Sequence, residues 1–306
     1  MGALVYYTVI FPLSFLPLWV LYGISNLFYG LTQTFFPYRK KVIDSNLSRS
    51  FPNLSETERK VIRKKFYSHF SDLLSEGIKN LSISERELRK RFKVVNPKLM
   101  EELYGKNKSV ILVSGHYNNW EWLITSQAFL FPHRAIGIGM PLTSKFWDKK
   151  INERRQRFGM KVVHAGNFKE IITQQTEPIA ILTLGDQSPV DAFKSYWMDF
   201  LNQKTAVLFG TEQMAHQYDY AVVFFLVRKL KRGYYEMELK LLTDSPQEMQ
   251  WGEITEKHTQ LLEQEIRNKP EFWIWSHKRW KRDVPANLEE LCSKQKQKFN
   301  DRFKTN

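Results

Sequence analysis

The chain has 306 residues, and its 46 Lys and Arg against 32 Asp and Glu leave a formal charge of +14. An apolar share of 42% with 25% charged residues excludes a disordered, collagen-like or low-complexity chain. The lone cysteine, Cys292, excludes an intrachain disulfide framework and a cysteine-based zinc site.

The charges are unevenly spread. Residues 1–38 contain no Asp, Glu, Lys, Arg or His, and Arg39, Lys40 and Lys41 follow at once. From Arg39 to Lys93 there are 15 basic and 7 acidic side chains. An uncharged front followed by a basic block is the pattern of a membrane protein facing an anionic leaflet, and it places everything after Arg39 on the cytoplasmic side. The 14% aromatic content fits the same greasy surroundings. Nucleic-acid binding would explain the basicity but not the uncharged front, and no nucleic-acid-binding motif is present. Residues 4–36 would make a helix of roughly 50 Å, against roughly 30 Å of bilayer hydrocarbon. Pro12 and Pro17 interrupt it. Two arrangements remain open: one tilted span, or a kinked helical anchor inserted from one side. The expected organisation is an anchor over 1–38 and a single catalytic domain over 39–306.

Next in the chain, Ser55 with Glu58 three residues on forms a capping box. Apolar residues from Val61 to Ile78 recur at helical spacing behind it, which predicts an amphipathic helix over 56–79. A short charged helix is predicted near 84–91. Runs at 110–114, 135–140, 161–164, 179–184, 221–227 and 233–242 read as strands, with helices near 119–130, 144–157, 167–175 and 207–217. Residues 253–268 and 288–303 read as closing helices. The predicted fold class is therefore α/β, an N-terminal membrane-anchoring helix followed by a mainly parallel sheet flanked by helices.

Four segments carry candidate chemistry. The run Ser114-Gly115-His116-Tyr117-Asn118-Asn119-Trp120-Glu121 sits where a buried strand gives way to a helix, the usual ligand crevice of an open α/β sheet. Across such a turn the Glu121 carboxylate can fold back on the His116 imidazole, leaving the other ring nitrogen as a base. A buried histidine that merely ends the turn fits the spacing equally well. Gly185-Asp186-Gln187-Ser188-Pro189 follows another buried strand, either as a site or as an ordinary turn. Arg154, Arg155 and Arg157 make either a solvated helix face or a phosphate clamp. Residues 272–282 interleave aromatic and basic side chains, which suits an interface with anionic lipid headgroups or one more element with a basic edge. No metal-ligand spacing, Walker loop, dinucleotide fingerprint or nucleophile elbow is present.

Taken in order, these segments resemble the late lipid A acyltransferase family, within the lysophospholipid acyltransferase superfamily. The likeness covers roughly residues 1–282. It rests on the box from His116 to Glu121, on Arg155 with Gly159, and on Asp186 and Gln187 with Pro189. The closing part is Pro270, Glu271, Trp273, Trp275, His277, Arg279, Trp280 and Lys281. The resemblance implies transfer of a fatty acyl group from an acyl carrier protein thioester to a hydroxyl of a membrane glycolipid, a lipid A precursor foremost, at the inner membrane with the site facing the cytoplasm. It implies His116 as general base, Glu121 as its orienting partner, and Arg155, Asp186, Gln187 and Asn119 as substrate-binding residues, with neither metal nor cofactor. The +14 balance would favour encounter with an acidic carrier protein as well as with an anionic membrane. Residues 190–200 depart from the family pattern, lacking glycines its members often carry there. That leaves a lysophospholipid or aminolipid acceptor, or an acyl thioesterase activity, as alternatives.

Overall fold

The computed structural model describes residues 2–34, 38–164, 166, 172 and 174–304. Seven strands form one sheet: β1 (Phe92–Val94), β2 (Val110–Ser114), β3 (Arg134–Gly139), β4 (Lys161–His164), β5 (Ile179–Leu184), β8 (Ala221–Lys231) and β9 (Tyr234–Thr243). Their order is β1-β9-β8-β2-β5-β3-β4, and every pairing is parallel except the β8–β9 hairpin. A separate antiparallel hairpin joins β6 (Tyr196–Phe200) to β7 (Gln203–Val207). The mainly parallel α/β sheet matches the sequence expectation, and the reason is visible in β2. All five of its residues are buried, because helices cover both faces and a parallel strand there has no wet side.

Most predicted helices form where expected. The helix Glu56–Lys79 opens with the capping box: the Ser55 hydroxyl accepts from the Glu58 amide, and the Glu58 carboxylate accepts from the Ser55 amide at 2.7 Å. Trp120–Leu130, Lys145–Arg155, Gly210–Tyr218, Glu253–Asn268 and Leu288–Phe303 are helical as well. The helix expected at 167–175 lies largely outside the described residues.

The amino-terminal segment differs from the expectation of a single anchoring helix. It is divided into the short helix Gly2–Val5, a π-helical turn Tyr6–Ile10, the short helix Phe11–Ser14 and the 17-residue helix Leu18–Thr34. Pro12 lies in the short helix directly after the π-helical turn, and Pro17 lies in the break before Leu18. Among the described residues no helix is long and apolar enough to cross a membrane. The segment packs on the sheet domain. Leu18, Leu21 and Tyr22 join the same core as β2, β8 and β9. The Ser75 hydroxyl donates to the Leu21 carbonyl at 3.0 Å, and Lys79 Nζ donates to the carbonyls of Ser14 and Leu16. The opposite face is apolar too, yet it is open: Trp19 is 76% and Leu27 68% exposed.

Two predictions follow from this packing. Leu21→Ala should lower unfolding stability by about 2–5 kcal/mol, whereas Leu27→Ala should change it by less than about 0.5 kcal/mol. Urea midpoints measure both, and equal effects would contradict the packing.

Stability should also depend on pH in a defined direction. Burial depresses the pKa of His69, His133, His216, His258 and His277, the last three to about 4. Their unfolded forms take up protons near pH 6.5 and the folded forms resist, so acidification through this range removes stability. Burial acts oppositely on Glu76 and Glu212, raising each to about 7, so their contribution is lost as pH rises through that value. Five groups against two make urea stability fall between pH 6.5 and pH 4. A rise over that interval would refute the balance.

Candidate active site

The register of β2 and β5 builds the site. Ser114 pairs with Leu184 in parallel register, and the Gly185 amide donates to the Ser114 carbonyl at 2.9 Å. Each strand then continues through a glycine into a polar residue, so His116 and Asp186 emerge side by side at the carboxyl edge of the sheet. Gly115 is required by this approach. A Cβ there would lie 2.5 Å from Leu262 and 2.8 Å from the Asp186 carboxyl carbon. The chain turns out of β2 through Asn118, whose φ of 54° is left-handed, a conformation that asparagine tolerates better than most residues.

His116 Nδ1 lies 2.6 Å from Asp186 Oδ1. Asp186 Oδ2 accepts from the His116 amide and from Trp273 Nε1, each at 2.8 Å. The Asp186 side chain has no exposure, while His116 keeps 16%. Burial alone would raise the Asp186 pKa, but the neighbouring imidazole and the three hydrogen bonds outweigh it and hold the carboxyl at about 2. The second ring nitrogen, Nε2, faces the Gln187 side-chain amide at 3.1 Å. Trp120 stands edge-on to the imidazole, with ring centres 5.0 Å apart.

Glu121 is not the partner of this imidazole, contrary to the sequence expectation. Its carboxylate takes Arg154 Nη2 and Arg155 Nη2 at 2.5 Å each, with Arg155 Nε at 3.2 Å making the second contact of a fork. Burial pushes Glu121 up, yet the two guanidinium charges prevail and keep it at about 2; the same pairing raises Arg155. The physical reason for the change of partner is direction. Glu121 is already inside the first helical turn and points towards the helix Lys145–Arg155, whereas Asp186 lies directly beside His116 at the sheet edge. Two cations against one carboxylate leave a net positive charge. Arg157 spends its donors on the carbonyls of Asn80 and Ile83 at 2.7 and 2.9 Å, so it belongs to no clamp.

Asn119, expected among the substrate contacts, is buried with both side-chain ends engaged. Its Oδ1 caps the helix by accepting from the Trp122 amide at 3.0 Å, and its Nδ2 donates to Glu76 at 2.6 Å. Gln187 and Asp186, expected at a substrate-binding rim, instead touch the two nitrogens of His116.

The closing aromatic segment also differs from a lipid-facing interface. Trp273 and Trp275 are fully buried and cross edge to face at 4.8 Å. The Asn118 amide donates to the Phe272 carbonyl at 3.0 Å, and His277 Nε2 accepts from the Ser188 amide at 3.1 Å. Arg279 is buried and donates to the Ala206 carbonyl at 2.7 Å. The segment is a clasp that grips both site turns, and Trp273 is the functional contact that the sequence reading left without a role.

Beside the site runs an apolar groove of about 310 Å³. Phe70, Leu73, Leu74 and Ile78 form one wall, Trp147 and Ile151 another, and Tyr6 and Ile10 of the amino-terminal segment close it. Trp120, Glu121 and Arg154 lie at its polar end. In the departing stretch, Asp191 caps a short 3₁₀ turn, Ala192–Lys194, ahead of β6, and Val190 and Phe193 are exposed. Among the described residues no three His, Cys, Asp or Glu side chains are grouped to hold a metal ion.

The imidazole is held through one nitrogen by a buried carboxylate and meets the Gln187 side-chain amide at the other, and Trp120 touches both the ring and the apolar groove, an arrangement that suits base-assisted chemistry on a fatty substrate. Residues 1–282 match the family described as bacterial lipid A biosynthesis acyltransferase, and the chain belongs to that family. It is similar to the lipid A biosynthesis lauroyltransferase of Escherichia coli (strain K12), with 22% identity over 268 residues, 87% of each chain.

Gly115→Ala should therefore displace Asp186 or Leu262 and reduce turnover far more than it reduces folding stability. The check is kcat beside a urea midpoint, and native kcat in a folded Gly115→Ala protein would refute the close approach.

Proposed function

We propose that the protein transfers a fatty acyl chain from an acyl carrier protein thioester to a hydroxyl of a lipid A precursor. The observation that carries this reading is the His116–Asp186 pair opening beside an apolar groove in a member of the lipid A acyltransferase family. Asp186 accepts the Nδ1 proton and so fixes the tautomer that leaves the Nε2 lone pair as the base. Nε2 takes the proton of the acceptor hydroxyl as its oxygen attacks the thioester carbonyl. The tetrahedral intermediate collapses, expelling the carrier thiolate, and the imidazolium returns the proton to that sulfur. Asp186 offsets the transient positive charge on the ring without taking up the proton itself. The start of the helix Trp120–Leu130 supplies a positive dipole end near the oxyanion.

In this scheme Glu121 holds Arg154 and Arg155 in place, and their surplus positive charge receives acceptor phosphate. The groove takes the acyl chain. The exposed apolar face around Trp19 and Leu27 rests in the lipid surface, so residues 1–38 attach the catalytic body, 39–306, to the cytoplasmic side of the inner membrane, with no spanning helix among the described residues. The net charge of +14 favours an acidic carrier protein at the same surface.

The test is transfer of labelled acyl chain from carrier-protein thioester, with acyl-CoA in parallel, to lipid A precursor, lysophospholipid, aminolipid or buffer alone. Label should move to lipid A precursor, and His116→Ala should lower the rate by at least about 10³-fold. Label on another lipid would replace the acceptor, and free fatty acid in buffer would make the protein a thioesterase.

A further inference from the structure

Glu76 is fully buried, lies outside the His116–Asp186 pair and has no part in the proton transfers above. It nevertheless gathers donors from three other elements. Its Oε1 accepts from Tyr22 of the amino-terminal helix at 2.7 Å. Its Oε2 accepts from Tyr235 of β9 at 2.8 Å and from Asn119 Nδ2 at 2.6 Å. Its main-chain carbonyl accepts from Trp122 Nε1 at 3.2 Å. A buried carboxylate is costly to keep, and capping the next helix requires only the Oδ1 end of Asn119. The carboxylate therefore does something that the cap does not need.

What it touches shows where that effect goes. Asn119 begins the helix whose first residues are Trp120, set against the His116 ring, and Glu121, set against two arginines. A shift of Asn119 moves both together. We propose that Glu76 is a positioning residue for acyl transfer, acting through Asn119 to fix Trp120 beside His116 and Glu121 between Arg154 and Arg155. This rests on the acyl-transfer reading above. The groups facing Glu76 are Tyr22, Tyr235, Asp72 on its own helix, and Lys229 of β8, which pairs with Asp72 at 2.9 Å. Burial raises Glu76 to about 7 against the pull of Tyr22, Tyr235 and Lys229.

Asn119→Asp isolates the contact, because aspartate caps a helix as well as asparagine does. Its second oxygen, however, meets the Glu76 carboxylate where the amide donated. The two carboxyls share a proton in acid and repel when both ionise. The Asn119→Asp enzyme should lose activity progressively as pH rises, by about 10- to 100-fold at pH 8 relative to the native enzyme. Adding Glu76→Gln restores a donor–acceptor pair with the roles reversed, and the double variant should regain most of that loss and follow the pH response of the native enzyme. Thermal midpoints of the same proteins at pH 5 and pH 8 should follow the same pattern without any substrate. Native kcat and KM in Asn119→Asp at pH 8, or a double variant as impaired as the single one, would overturn the proposal. A lowered midpoint with native kinetics would also overturn it, reducing Glu76 to a structural residue. If the native protein transfers no acyl group to any acceptor, the acyl-transfer reading fails, and the midpoints alone then decide the Glu76–Asn119 pairing.

Discussion

Asp186 keeps a full negative charge where its side chain has no contact with water, and the active end of the molecule is arranged around that cost. Three donors stabilise it: the His116 ring, the His116 amide and the Trp273 indole. The first two come from the turn after β2 and the third from a clasp more than 80 residues further along the chain. Gly115 permits the approach, and parallel pairing of β2 with β5 supplies it. Without Trp273 one carboxylate oxygen would lose a donor, and burial would raise the Asp186 pKa. The imidazole would then have a weaker partner at the moment it becomes charged. The run of Trp273, Trp275 and Trp280 near the chain end is thus tied, through Trp273, to the His116–Asp186 pair.

The second ionic centre is organised on a different principle. Glu121 is outnumbered by Arg154 and Arg155, so the group as a whole remains positive at the polar end of an apolar groove. That combination suits a lipid carrying phosphate: hydrocarbon along the groove and negative charge at its end. Glu76 lies behind both centres and joins the amino-terminal helix, the catalytic turn and β9 through one carboxylate. The amino-terminal helix therefore leaves one apolar face exposed and, through Tyr22, joins the framework of the site with the other.

Much of this was legible in the sequence because local signals and burial agreed. Ser55 and Glu58 mark a helix start through their own hydrogen bonds, and the short apolar runs of β2 and β5, between helical stretches, suit interior parallel strands. The box at His116 was equally visible. Its partner was not, because spacing along the chain made Glu121 the nearer carboxylate while sheet register, a long-range property, delivered Asp186. A usable signal existed: Ser114-Gly115-His116 and Leu184-Gly185-Asp186 leave two buried strands with the same spacing. β1, β6 and β7 escaped notice because short or edge strands lack the continuous apolar run of an interior one. The uncharged front left both a tilted span and a kinked anchor open, because composition registers apolarity, and Pro12 and Pro17 an interruption, but neither registers that one face is buried against protein.

The proposed mechanism divides the labour between Asp186 as partner of the base and Glu121 as holder of the arginines. The most direct measurement is kcat and acceptor KM for Asp186→Asn and Glu121→Gln side by side, with both proteins confirmed folded. Asp186→Asn should lower kcat by about 10²–10⁴-fold with little change in KM. Glu121→Gln should act chiefly by raising acceptor KM. If Glu121→Gln instead abolishes kcat while Asp186→Asn leaves it near native, Glu121 is the orienting carboxylate after all and the assignment of the pair is wrong.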